Sequence, residues 1–253
     1  MSRISVLVCT ALLLASFAVQ VQAQDDDTPG PFIYGTYSVC DLGQQWKLDG
    51  LVEANHAKVY DKALEDGAIT AWGYMAHHTG GPWRRITYYS APTLEQLMAG
   101  ADSIFEALRT TAPQAANEYS SICNTHDDYV WEHVAGSDPD AARRGKAAFS
   151  VYYVCNESTE SRADELMSGP MAAAYEKQVK AGNLTSWGWF QHWIGGKYRR
   201  LSTISAADTA SLVKARDAII ADLLENQSDV MDEFSAICTS HQDYIWDIVM
   251  AKP

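Results

Sequence analysis

The sequence predicts an α+β fold made of two copies of one β-α-β-β-α-β unit. The main observation is an internal repeat, because the stretch 70–85 (TAWGYMAHHTGGPWRR) returns at 185–200 as TSWGWFQHWIGGKYRR. The offset is 192 − 77 = 115 residues, and it holds without a gap from Cys40 to Trp131 of the first copy. The second observation is that strand-like and helix-like periodicities alternate in the same order in both halves. The chain is therefore a tandem duplication.

Residues 1–23 are predicted to be a cleaved secretory signal peptide. Arg3 precedes an apolar run from Ile4 to Val19, and small residues lead to Ala23. A membrane anchor is the alternative, but the apolar run is short for a span and no later run replaces it. Cleavage predicts a secreted or periplasmic protein that does not interact with membranes.

Cysteine positions predict two disulfides in the mature chain, which keeps 5 − 1 = 4 cysteines. An oxidising compartment favours bridges over a zinc site, and no C-x-x-C pair is present. The separations 123 − 40 and 238 − 155 are both 83 residues, so each copy is expected to close its own bridge, Cys40 to Cys123 and Cys155 to Cys238.

The mature chain is acidic. Loss of Arg3 takes the formal charge from −13 to −14, which argues against a nucleic-acid partner because phosphate binding needs a basic surface. Residues 24–33 contain Asp25, Asp26 and Asp27 and are predicted to form a disordered leader. Polar residues 136–147 are predicted to link repeat 1 (34–135) to repeat 2 (148–253).

The elements of each copy follow from its local patterns. Aromatic and β-branched runs predict the first strand, and a helix-periodic segment that stops at Gly67 or Gly182 follows. Two strands joined by a Gly-Gly turn come next, then a second helix, a further helical turn and a last strand. The predicted strands are 34–40, 69–77, 83–89 and 129–134 in repeat 1, and 149–155, 184–192, 198–204 and 244–249 in repeat 2.

Capping patterns give the start of the second helix. Thr93 with Gln96 predicts one start, and Ser205 with Asp208 predicts the other. The further helical turns are predicted at 119–122 and 234–237, directly before the second cysteine of each copy.

This element order is the split βαβ or ferredoxin-like unit. With its aromatic-rich strands and the W-G-x-x-x-H…G-G…R-R stretch, the chain resembles the dimeric α+β barrel superfamily, here as a pseudo-dimeric barrel in one chain. The resemblance implies strand order 4-1-3-2 in each half, with strand 2 of one half beside strand 4 of the other. It also implies a monomer with pseudo-two-fold symmetry and a small-molecule ligand in the barrel.

Four histidines are candidate catalytic residues. His77 and His192 are expected at the end of strand 2, and His126 and His241 at the start of strand 4. If strand 2 of one half lies beside strand 4 of the other, two metal-binding sets could form, because imidazole and carboxylate groups bind transition metals. The sets are His77 with His241 and Asp243, and His192 with His126 and Asp128. The alternative is that strand-end histidines only satisfy turn backbone groups.

Arginine pairs begin strand 3 in both halves. Alternation along a strand sends one arginine of each pair to each face of the sheet. They are candidates for holding an anionic ligand, and the alternative is one solvated arginine and one paired with Asp128 or Asp243. Aromatic residues are expected in the core or in the barrel lining, where the first candidates for ligand contact are Trp72 and Trp187. The arginine candidates are Arg84, Arg85, Arg199 and Arg200.

Several reaction classes are excluded by absent motifs. The sequence has no G-x-S-x-G elbow, no phosphate-binding glycine loop, no G-x-G-x-x-G and no H-E-x-x-H. Three functions remain. The first is an exported barrel that binds, or also transforms, a small aromatic or anionic ligand. The second is an oxidoreductase with haem or a transition metal, as resemblance to tandem-barrel haem enzymes implies, with His77 or His192 as ligand. The third is a structural or interaction module.

Overall fold

The computed structural model describes residues 30–137 and 145–253. The predicted signal peptide, most of the predicted leader and the centre of the predicted linker lie outside these ranges.

Eight antiparallel strands close into a single barrel. Strand pairing runs β1-β3-β2-β8-β5-β7-β6-β4 and returns to β1. Each half therefore has the predicted 4-1-3-2 order, and the halves join where β2 meets β8 and β6 meets β4. The strands are β1 (Phe32–Val39), β2 (Ala71–Gly80), β3 (Arg85–Ala91), β4 (Thr125–Gly136), β5 (Ala147–Cys155), β6 (Ser186–Ile194), β7 (Arg200–Ala206) and β8 (Cys238–Lys252).

The fourth strands are longer than predicted because they form the seams between the halves. β4 pairs with β1 on one side and with β6 on the other, and β8 is held in the same way by β5 and β2. These pairings satisfy backbone groups well beyond the apolar segments that mark the strands in the sequence.

Helices cover the outside of the barrel. In repeat 1 they are α1 (Trp46–Leu51), a π-helical segment (Val52–His56), α2 (Ala57–Glu65), α3 (Leu94–Thr111) and α4 (Pro113–Ile122). In repeat 2 they are α5 (Glu160–Ser168), α6 (Ala172–Lys180), α7 (Thr209–Asn226) and α8 (Ser228–Ile237). The predicted glycine caps are confirmed, since Gly67 and Gly182 have φ values of 71° and 74°.

Two predicted helices of repeat 2 need correction. The first is broken between α5 and α6 at Gly169 and Pro170, because proline lacks the N–H group that continues a helix. The second does not begin at Ser205, which lies in β7. Its N-cap is Asp208, whose carboxylate accepts a hydrogen bond from the Ser211 amide at 2.8 Å. Asp208 is also the residue 115 positions after the confirmed cap Thr93.

Both predicted disulfides are confirmed. Cys40 is bonded to Cys123 and Cys155 to Cys238, with a Cα–Cα distance of 3.9 Å in each case. Each bridge joins the end of the first strand to the start of the fourth strand beside it. Within the described ranges, no helix is long and apolar enough to cross a membrane.

The buried residues form two kinds of core. One core in each half lies between the helices and the outer face of the sheet, around Leu97 and Ile104 in repeat 1 and around Leu212 and Ile219 in repeat 2. A third core fills part of the barrel interior and takes residues from both halves.

Candidate functional site

An aromatic layer fills the disulfide end of the barrel interior. Its central ring is Trp83, which stacks on Tyr244 with ring centroids 5.1 Å apart and lies 4.4 Å from the ring of Tyr37. The Trp83 indole donates a hydrogen bond to Asp127 at 2.7 Å. The layer consists of Tyr37, Trp83, Tyr129, Trp131, Tyr152, Tyr198, Tyr244 and Trp246.

A cavity of about 340 Å³ occupies the opposite end of the barrel. We call it the barrel cavity. The aromatic layer reaches its inner end through Tyr37, Trp131 and Tyr152. Its apolar wall includes Ile33, Met75, Ile86, Ala148, Phe190, Leu201 and Ile248, and its polar groups include Tyr88, Ser90, His133, Ser150, Thr203 and Ser205.

The repeated Trp-Gly pair shapes the wall of the barrel cavity. A Cβ atom on Gly73 would meet the Tyr88 ring, and a Cβ atom on Gly188 would meet the Phe190 ring. Glycine therefore lets each ring lie flat against strand 2 of its half. The adjacent tryptophans face the other way, where Trp72 stacks on Tyr60 at 5.2 Å and Trp187 on Tyr175 at 5.1 Å.

This position corrects the expectation that Trp72 and Trp187 contact a ligand in the barrel. Both rings belong to the cores between sheet and helices, because neighbouring residues of a strand face opposite sides of the sheet. Trp187 adjoins the barrel cavity at the strand itself, whereas its ring is directed toward α6.

The barrel cavity is not symmetric, although the chain is duplicated. Repeat 1 contributes Tyr88 and His133, and the residues 115 positions later are Thr203 and Ile248. The imidazole of His133 packs edge-on against Phe190 with centroids 5.3 Å apart. Both halves contribute hydroxyl groups to the lining, but only repeat 1 adds a phenol and an imidazole, those of Tyr88 and His133. Sequence reasoning missed His133, and alternation along β4 from Tyr129 and Trp131 is the signal that could have found it.

His77 and His192 lie at the disulfide end, beside the aromatic layer. Arg84 places Nη1 2.9 Å from Nδ1 of His77, and Arg199 places Nη1 3.1 Å from Nδ1 of His192. Burial lowers the pKa of both imidazoles below the ordinary value, and the adjacent arginine charge lowers it further. Both effects favour the neutral form of the two rings.

The predicted metal-binding sets are not assembled. His77 pairs with Trp246 rather than with His241, which is five residues back along β8, or about 16 Å of strand. His241 instead lies 2.6 Å from Asp243, its neighbour on the same strand face. Over residues 30–137 and 145–253, no three histidine, cysteine, aspartate or glutamate side chains come together in a metal-binding arrangement.

The second set fails for the same reason of register. His192 lies opposite Trp131 in the strand register. The imidazole of His126 instead contacts Asp128 of its own strand, with Nε2 3.3 Å from Oδ2. Strand neighbourhood was therefore predicted correctly, whereas the position along the strands was not.

Haem or a transition metal does not fit the predicted ligands His77 and His192. A guanidinium group lies beside the ring of each, and a fixed positive charge there opposes a metal cation. Neither histidine lines the barrel cavity in the described part of the chain.

The arginine pairs divide between the two faces, as alternation predicted. Arg85 and Arg200 are buried under the helices, where they bind carboxylates of α1 and α5 and not Asp128 or Asp243. Arg85 Nε lies 2.8 Å from Asp49, and Arg200 Nη2 lies 2.6 Å from Asp164. Their guanidinium groups are thus occupied by the chain itself, and the expectation that they hold a ligand is not supported. Arg84 and Arg199 remain partly exposed at the rim.

Comparison with known proteins identifies the fold. No protein-family model and no curated protein sequence matches the chain. An anthrone oxidase-like protein superposes with a TM-score of 0.56 at 14% identity, covering 90% of this chain and 94% of its own. A proposed monooxygenase from Lactobacillus acidophilus NCFM gives a TM-score of 0.57 at 6% identity, covering 88% and 95%. A mutant chlorite dismutase from Candidatus Nitrospira defluvii gives 0.51 at 9% identity, covering 89% and 92%.

At these identities the likeness concerns the fold alone. The chain has the fold of the dimeric α+β barrels, with both halves in one polypeptide, as the sequence resemblance predicted.

Proposed function

We propose that this protein is an exported binding protein for a small, neutral, mainly aromatic ligand held in the barrel cavity. The observation that carries the proposal is the cavity itself, a concave volume of about 340 Å³ that both halves line. Ligand sites of proteins are typically concave, mostly apolar and about 300–1,000 Å³ in volume. The barrel cavity has these properties.

The wall of the cavity favours an aromatic ligand over an anionic one. The described lining residues include no arginine, lysine, aspartate or glutamate. Phe190, Trp131 and Met75 offer ring and thioether surfaces, which pack well against aromatic groups. An anion would lose its hydration there without meeting a fixed positive charge.

Polar groups on one side of the cavity would orient the ligand. Tyr88 and His133 come from repeat 1, and Ser90 lies on the same strand as Tyr88. A ketone or phenol oxygen directed toward these residues, with the rings against Phe190 and Leu201 of repeat 2, makes use of both halves. A fixed orientation is the expected consequence of the asymmetry.

Export is supported by the two disulfides, because such bridges form and persist in oxidising compartments. The signal peptide predicted from the sequence also supports export, although it lies outside the described residues. A measured mass of the mature secreted chain tests this part of the proposal.

Binding of a tricyclic ketone tests the proposed ligand class. Anthrone is a suitable probe because it is mainly aromatic with one oxygen, and a similar fold occurs in an anthrone oxidase-like protein. We expect wild-type protein, kept under nitrogen, to bind anthrone in isothermal titration. Ala148→Phe fills the barrel cavity with a ring and should abolish the heat of binding.

A matched control is available on the protein surface. Ala173→Phe makes the same change at an exposed position of α6 and should leave anthrone binding intact. Failure of the folded wild-type protein to bind anthrone or a panel of two- and three-ring phenols and ketones would contradict the proposal. So would equal binding by Ala148→Phe.

The same mixtures test whether the ligand is also transformed. Air is admitted, and the rate at which anthrone and O₂ yield anthraquinone and water is compared between wild type and Ala148→Phe. A protein-dependent rate that the Ala148→Phe substitution removes would assign an oxidase activity to the barrel cavity.

A further inference from the structure

A second pocket lies outside the barrel, in repeat 2. Because the chain is duplicated, the equivalent positions of repeat 1 can be compared with it residue by residue. The pocket has a volume of about 220 Å³ and lies between the sheet strands β5 and β7 and the helices α6, α7 and α8. We call it the side pocket. The barrel cavity lies on the other face of the same strands, and Ile204 borders both spaces.

Apolar and aromatic side chains form most of the side pocket. The rings of Tyr153 and Phe234 meet edge to face at 5.4 Å and form one wall. Phe149 forms a second wall, and Ile204 and Ile220 border the open space between them.

In repeat 1 the corresponding space is filled. Tyr89 and Phe105 stand where repeat 2 has Ile204 and Ile220. Tyr34 stacks on Tyr89 with centroids 5.2 Å apart and meets Phe105 edge-on at 6.1 Å. Isoleucine side chains are smaller than these rings, and the side pocket of repeat 2 borders both isoleucines.

Repeat 2 also has a positive charge at the pocket that repeat 1 lacks. Arg216 stands where repeat 1 has the fully buried Ala101. Its guanidinium group lies over the ring of Phe149, with Cζ 5.1 Å from the centroid. Among the described residues, its one carboxylate partner is the neighbouring Asp217, at 3.3 Å and 68% exposed.

One other charged pair faces the pocket. Asp243 and His241 line its far side, where they contact each other at 2.6 Å. Repeat 1 has the equivalent pair, Asp128 and His126, beside its filled space. The pair is therefore common to both halves, whereas the open volume and the arginine occur in repeat 2 alone.

We propose that the side pocket binds a small monocarboxylic acid with an apolar body, its carboxylate on Arg216 and its chain between Phe149 and Phe234. A weakly compensated guanidinium at the edge of an apolar pocket matches such a ligand, because arginine presents a planar fork of donors to a carboxylate. Burial of the chain against the rings and isoleucines supplies the apolar contribution.

Octanoate labelled with ¹³C at the carboxyl group is the probe, and 1-octanol of equal length is its uncharged counterpart. We expect wild-type protein to shift the ¹³C resonance of octanoate with saturation at one site. Arg216→Ala, which installs the repeat 1 residue, should weaken octanoate binding by about tenfold or more and leave octanol binding unchanged. Arg216→Lys should restore part of the octanoate affinity.

A pocket-filling variant locates the site. Ile204→Tyr together with Ile220→Phe installs the repeat 1 rings and should abolish binding of both probes, whereas Ala148→Phe, in the barrel cavity, should leave both unchanged. Circular dichroism and thermal unfolding check that each variant is folded.

The opposite results would overturn the proposal. Octanoate binding that survives the pocket-filling change, or that is lost in Ala148→Phe, would place the acid elsewhere. An equal loss of octanoate and octanol affinity in Arg216→Ala would show that the arginine does not bind the carboxylate. If the pocket-filling variant does not fold, the octanoate-to-octanol affinity ratio in Arg216→Ala decides the question.

Discussion

Arg200 and Asp164 form a two-pronged ion pair between β7 and α5, with Nε 2.6 Å from Oδ1 and Nη2 2.6 Å from Oδ2. The indole of Trp189 donates a third hydrogen bond to Asp164 at 2.7 Å. Repeat 1 builds the same connection from Arg85 and Asp49, at 2.8 Å. The second Arg of each Arg-Arg pair thus attaches the first helical segment of its half to the barrel.

Removal of the Asp164 carboxylate should strongly destabilise repeat 2. Asp164→Ala leaves the buried Arg200 with Glu160, at 3.3 Å, as its remaining carboxylate partner in the described part of the chain. The loss of one partner from a buried pair costs about 3–5 kcal/mol, and Glu160 should bring the cost to the low end of that range. Urea unfolding followed by tryptophan fluorescence measures the change.

The equivalent change in repeat 1 provides the comparison. Asp49 is 38% exposed, whereas Asp164 is 15% exposed, so Asp49→Ala should cost clearly less. Equal losses would mean that burial does not set the strength of these pairs.

Stability should decrease as pH falls from 7 toward 5.5 because of His77 and His192. Burial and the Arg84 and Arg199 charges lower the pKa of each imidazole in the folded protein. A histidine of the unfolded chain has a pKa of about 6.5, so near this pH the unfolded chain binds more protons than the folded protein. The free energy of unfolding therefore rises with pH between 5.5 and 7. The histidine contribution is fully present above the unfolded pKa and is lost below it.

The double variant His77→Gln with His192→Gln measures this contribution. We expect a flatter dependence of the free energy of unfolding on pH between 7 and 5.5 than in wild type. A slope that remains unchanged would assign the pH dependence to other groups, such as His56, whose pKa is also lowered by burial.

Gly73 and Gly188 should not tolerate a side chain. Gly73→Ala would drive its Cβ into the Tyr88 ring and Gly188→Ala into the Phe190 ring, at a cost of about 1–3 kcal/mol each. Gly50 is the matched control. A Cβ atom at this position of α1 would meet no neighbouring atom within 4 Å, so Gly50→Ala should raise stability by about 0.5–1 kcal/mol. Thermal unfolding distinguishes the expected losses of stability from the expected gain. A Gly73→Ala variant as stable as wild type would contradict the packing described.

Each disulfide should stabilise its own half. Both bridges close loops with a sequence separation of 83 residues, so replacement of either cysteine pair by alanine should cost about 2–5 kcal/mol. Urea unfolding of the Cys40/Cys123 variant and of the Cys155/Cys238 variant should give similar losses. No loss in either variant would indicate that the bridge is not formed in solution.

The duplication made much of the architecture predictable. A constant offset of 115 residues favoured the observed cysteine pairing, because the two cysteines of each copy are separated by the same 83 residues. It also gave the element order and, through the resemblance, which strands are neighbours. The misplaced cap at Ser205 shows that the offset was more reliable than local patterns, since Thr93 plus 115 gives the observed Asp208.

The repeat did not reveal the register between neighbouring strands or the partners of the buried side chains. A sequence can state that β2 lies beside β8, but only the assembled barrel places His77 opposite Trp246 instead of His241. Likewise, the sequence left each arginine pair with two alternatives, an anionic ligand or a strand carboxylate such as Asp128 or Asp243. The helices packed over Arg85 and Arg200 supply Asp49 and Asp164 instead.

The sequence by itself therefore determined the repeat, the order of elements, the disulfides and the barrel class, because these depend on local periodicity and on symmetry between copies. Only the tertiary structure decided where the chemistry lies. A cavity is the volume that neighbouring side chains leave unfilled, and that volume depends on residues far apart in the chain. His133 in the barrel cavity and Arg216 in the side pocket became candidates once their surroundings were known.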